Sequence, residues 1–61
     1  MTHEPRFWRE YVKSVNPGMV AQFDDNLDFG FGGETAAYRA LQGVSYDHKQ
    51  AISKAREVCA R

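Results

Sequence analysis

Residues 19–32 read MVAQFDDNLDFGFG, and the fold class follows from how their apolar side chains repeat. Met19, Ala21 and Phe23 alternate with Val20 and Gln22, and Leu27, Phe29 and Phe31 alternate with Asp28, Gly30 and Gly32. A period of two is that of a strand with one apolar face. Between the two runs stand Asp24, Asp25 and Asn26, turn formers whose side chains can bond their own backbone. The stretch therefore predicts an antiparallel β-hairpin, and a lone hairpin is barely stable in water, so its apolar face must rest on helices.

Those helices are predicted on both sides. From Pro5 to Val15, the residues Phe7, Trp8, Tyr11, Val12 and Val15 share one helical face, with Arg6, Arg9, Glu10 and Lys13 elsewhere. Thr2 or His3 would precede this helix, and Asn16, Pro17 and Gly18 end it, because proline pushes the residue before it out of helical backbone. After the hairpin, Gly32 and Gly33 break the strand and Glu34 or Thr35 opens a short helix through Leu41, ended by Gly43. Ser45 or Asp47 can cap a last helix whose apolar stripe is Ala51, Ile52, Ala55, Val58 and Cys59. The expected architecture is a single α+β domain over residues 1–61, in the order helix, hairpin, helix, helix.

Sixty-one residues leave no room for a second core. A chain of this size buries only about 60% of its unfolded surface and is marginal alone. Cys59 is the only cysteine, so neither an internal disulfide nor a multi-thiolate zinc site can help. Oligomerisation or a bound partner is the expected aid. A single thiol and the lack of a basic-then-apolar leader suggest the cytoplasm. The longest uncharged run, Ser14 to Phe23, contains Asn16, Pro17, Gly18 and Gln22, which argues against a membrane span.

The charges sum to zero but are unevenly placed. Residues 19–35 carry Asp24, Asp25, Asp28 and Glu34 and no basic residue, whereas Arg39, Lys49, Lys54, Arg56 and Arg61 face only Asp47 and Glu57 beyond them.

Several motifs are partial. Asp24, Asn26 and Asp28 fill the first, third and fifth positions of a calcium loop, but Phe29 stands where glycine is needed and Thr35 where the bidentate glutamate is needed. Phe29, Gly30 and Phe31 match the aromatic centre of an RNA-binding strand, in surroundings whose acidic charge would repel phosphate, so packing in the hairpin core is the simpler expectation. Glycines 30, 32 and 33 resemble a phosphate-binding turn, yet no lysine follows and Glu34 carries its own negative charge there. Ala36 to Val58, with Gly43, Val44 and Ser45 between, has the outline of a helix-turn-helix, although Arg39 and Lys49 occupy positions expected to be small or aliphatic.

No catalytic constellation emerges: His48 lies eleven residues before Cys59, about 16 Å along a helix. Cys59 reads as a small buried hydrophobe. No cofactor and no metal is expected. Eight aromatics are more than so small a core can easily hide, and Trp, Tyr and Arg dominate interface energetics. The expectation is a non-catalytic protein-binding module, an adaptor or inhibitor that occludes a larger protein. Trp8, Tyr11, Arg6 and Arg9 would anchor the contact, and Asp24 and Asp25 would steer it. The same aromatics could instead bury themselves in a homodimer. The alternative is a small DNA-binding regulator placing Lys49, Lys54 and Arg56 on phosphates.

Overall fold

The computed structural model describes residues 4–60, and every regular element among them is helical. Helix α1 spans Pro5–Val15, a short 3₁₀ turn spans Pro17–Met19, and α2, α3 and α4 span Val20–Phe29, Gly33–Ala40 and His48–Cys59. The α+β architecture is thereby corrected: the predicted hairpin is helix α2, and no strand occurs among the described residues.

The error lies in the period. Val20, Phe23 and Leu27 also fall at i, i+3 and i+7, which is one helical face, and Phe23 on that face is fully buried. Asp24, Asp25 and Asn26 are not a turn but the polar side of the same helix. Asn26 Nδ2 donates to the Ala36 carbonyl at 3.2 Å and its Oδ1 accepts from Gln22 Nε2 at 3.2 Å, which ties α2 to α3.

Gly30 ends α2 with φ of 116°, a left-handed backbone that glycine adopts without Cβ strain. The Gly30 N–H donates to the Leu27 carbonyl at 3.0 Å and the Phe31 N–H to the Asn26 carbonyl at 3.2 Å. These are the two bonds of a Schellman motif, which satisfies carbonyls that a helix end otherwise orphans.

The predicted bounds of α1 hold, with Pro5 at its first position, where a missing N–H costs nothing. Thr2 and His3, named as its possible cap, lie outside the described residues. Asn16 then closes the helix, and its Oδ1 accepts from the Gly18 N–H at 3.0 Å to shape the 3₁₀ turn. At the start of α4, Asp47 Oδ1 accepts from the N–H groups of Lys49 and Gln50 at 3.0 and 3.3 Å, so of the two expected caps, Ser45 and Asp47, Asp47 is the one used.

Helix α1 is the centre of the molecule. Its one apolar face packs on α4, α3 and α2, while the backbone of α4 shares few contacts with α2 or α3. Its buried side chains, Phe7, Trp8, Tyr11 and Val12, meet Ala36, Ala37 and Ala40 of α3 and Ala51 and Ala55 of α4 within one core. Large aromatics on one helix against alanines on the others let the backbones approach closely and still fill the interior. Gly33 belongs to the same fit: a Cβ there would stand 2.8 Å from Trp8 Cδ1 and 3.2 Å from Pro5 Cα. No helix among the described residues is long and apolar enough to cross a membrane.

Candidate functional site

Two aromatic assemblies stand out, one inside and one outside. The inner one is built by α1. Trp8 is 5% exposed and Tyr11 is 0% exposed, so the two side chains expected to anchor a partner belong to the core. Their rings meet edge to face with centroids 5.2 Å apart, and Tyr38, Tyr46 and His48 surround Tyr11 at centroid distances of 5.6–6.2 Å.

The Tyr11 hydroxyl reaches the Tyr46 hydroxyl at 2.8 Å and His48 Nδ1 at 2.7 Å. A phenol has one proton, so whichever neighbour accepts it, the other must donate, and the three groups form one ordered chain. This chain fastens the 41–47 connection and the start of α4 to the middle of α1. Burial first, and the Tyr46 hydrogen bond second, push the Tyr11 phenol well above its ordinary pKa; burial and Glu34 also raise Tyr38. Raised phenols stay protonated, the opposite of what activates a nucleophile or a base, so the cluster reads as structural.

The outer assembly sits at the end of α2. Phe29 is 81% exposed and its ring stacks on Phe31 at 5.3 Å between centroids, with 29° between planes. The Arg39 guanidinium of α3 lies over the other aromatic, 4.3 Å from the Phe31 ring centre. Packing of Phe29 in a hairpin core is thus overturned; on a helix it points away from the face that carries Phe23 and Leu27. The signal available in the sequence was Gly30, which as a helix stop leaves the preceding residue on the last turn with nothing beyond to cover it.

The charged residues sort differently from expectation. Arg9 and Asp24 pair with each other in a two-pronged contact, Nε to Oδ1 at 3.2 Å and Nη2 to Oδ2 at 3.3 Å, joining α1 to α2. That hydrogen bond and the carboxylate charge raise the Arg9 pKa further. Arg6 is exposed on the first turn of α1, and Asp25 lies exposed on α2 one turn before Phe29. Asp25 and Asp28 enter no ion pair among the described residues, so two unpaired carboxylates stand beside Phe29 on α2, with Arg39 on the neighbouring Phe31 ring.

Lys49, Lys54 and Arg56 are all exposed on α4, but they do not form one tract. Lys49 and Arg56, seven residues apart, line one open groove with His48, Ile52 and Ser53, whereas Lys54 lines a second depression with Ser14, Val15 and Tyr46. Helices α3 and α4 pack on α1 rather than on each other, unlike a helix-turn-helix pair. Asp24, Asn26 and Asp28, at alternate positions of a helix, point in diverging directions, and the first two are engaged by Arg9 and Ala36. Cys59 is half-buried at the end of α4, packed against the core.

No protein-family model, curated protein or solved structure matches this chain.

Proposed function

We propose that this chain is a non-catalytic protein-binding module whose contact surface is the Phe29 end of α2, and that it works by occluding a partner's surface. The observation that carries this reading is Phe29 itself, a large apolar ring left in water yet held in place. It stacks on Phe31, which itself carries the Arg39 guanidinium, and the Schellman backbone ends the helix beside it, so part of the side-chain freedom is already spent before docking. Interface hot spots are enriched in aromatics that become desolvated when the partner docks, and this ring is available for that.

The carboxylates of Asp25 and Asp28 select the partner's chemistry: an apolar groove edged by basic side chains. Such a contact forms quickly at low salt and weakens as salt screens the carboxylates. The test is retention of proteins from the native host on immobilised chain, with Phe29→Ala and Lys13→Ala beside it. A protein held by the wild type and by Lys13→Ala, released by salt and lost on Phe29→Ala supports the reading. Equal retention by Phe29→Ala overturns it.

A further inference from the structure

We propose that the occupant of the Phe29 patch is a second copy of this chain, docked head to tail, with Phe29 of one molecule in the α4 groove of the next. The proposal rests on the Phe29 end being a protein-binding surface and names the partner that its chemistry fits.

The chain carries both halves of the contact. The groove on α4 has half-buried Ile52 at its centre, with Lys49 and Arg56 on the turns before and after it. Neither cation enters an ion pair among the described residues. An apolar floor between two free cations is the complement of an aromatic ring with two free carboxylates beside it, Asp25 one turn back and Asp28 adjacent. The cations can pair with those carboxylates or lie over the ring face, as Arg39 already does on Phe31. A chain of zero net charge whose acidic and basic residues are segregated has no long-range repulsion to overcome in meeting itself.

The ring is on α2 and the groove is on α4, two helices with almost no mutual backbone contact. The ring of one copy and the groove of the next are different surfaces, so the contact is heterologous: each molecule offers its ring to one neighbour and its groove to another, and the assembly grows beyond two copies unless the row closes. A contact this small is weak, so assembly belongs at concentrations of about 0.1–1 mM and low salt.

Sedimentation of the intact chain across that range tests the proposal, with two complementary variants. Phe29→Ala removes the ring and keeps the groove; Lys49→Glu with Arg56→Glu spoils the groove and keeps the ring. The wild type is expected to show mass rising past a dimer with concentration and falling in high salt, and each variant alone to remain monomeric. An equimolar mixture should give a one-to-one dimer that grows no further, because each partner supplies the half the other lacks. Circular dichroism confirms helix content, and Lys49→Gln with Arg56→Gln replaces the reversal should that fail to fold. A wild type that stays at 7.0 kDa throughout, a wild type that stops at a closed dimer, or a mixture that remains monomeric overturns the proposal. If the wild type is monomeric while Phe29→Ala still loses a host protein, the self-docking falls and the protein-binding reading stands; if neither behaviour is seen, both fall.

Discussion

Trp8 and Phe29 are aromatic residues on amphipathic helices of similar length, and they meet opposite fates. Trp8 lies on the face of α1 that three other helices cover, and alanines opposite it leave room for the ring. Phe29 lies on the last turn of α2, on the side turned from α1, and Gly30 ends the helix before any element can pass over it. Hydrophobicity does not distinguish the two. Position relative to a helix stop and to the packing face does, and it divides the aromatics into a group that makes the fold and a pair available for contact.

The comparison breaks most visibly if the inner group proves dispensable. Tyr11→Ala removes a fully buried ring and both of its hydrogen bonds, and should cost about 3–5 kcal/mol, enough to unfold a marginal domain. Loss of the helical circular dichroism signal at 25 °C checks it, and a cooperative melt near the wild type's would place Tyr11 outside the core.

Gly33→Ala sharpens the account of how tightly that core is fitted. The new methyl would press on Trp8 and on the Pro5 backbone, and a destabilisation of about 1–3 kcal/mol is expected in urea. A neutral or stabilising result would mean that α1 and α3 can part at no cost.

Tyr11→Phe probes the hydroxyl chain alone, with an expected cost of about 1–2 kcal/mol near neutral pH. Its pH dependence carries more information. Because the folded state raises the Tyr11 and Tyr38 phenols, the fold holds their neutral forms. That stability is fully present below the unfolded tyrosine pKa of about 10 and is lost as pH rises above it toward the folded values. Alkaline destabilisation should therefore begin near pH 10 and be shallower in Tyr11→Phe; identical slopes would contradict the burial of this phenol.

At the start of α4 the effect is smaller. Asp47→Ala removes the acceptor for two helix N–H groups and should cost about 1 kcal/mol, read as a lower urea midpoint with an unchanged slope.

Much of this molecule was legible from its residues, and the illegible part has a definite cause. Helix α1 announced itself because five apolar residues fell on one face between Pro5 and Asn16-Pro17, and Asp47 marked the start of α4 because the pattern behind it was helical. The segment 20–29 supported two periods at once. Val20, Phe23 and Leu27 fit a helix, Ala21, Phe23, Leu27 and Phe29 fit alternating strands, and consecutive acidic residues look like a turn in either case. Only the tertiary contacts of Asp24 with Arg9 and of Asn26 with Ala36 decide it. The same misreading hid the candidate site. As strand residues Phe29 and Phe31 belong to a core, which leaves Trp8 and Tyr11 as the expected anchors, and these are the buried ones.

The most direct test of the central claim is the melting temperature of Phe29→Ala against the wild type, both at low micromolar concentration where association is negligible. An exposed ring that serves contact rather than folding changes stability by no more than about 0.5 kcal/mol, so the two melts should agree to within about 4 °C. A fall of about 10 °C or more would return Phe29 to the core and remove the division between inner and outer aromatics.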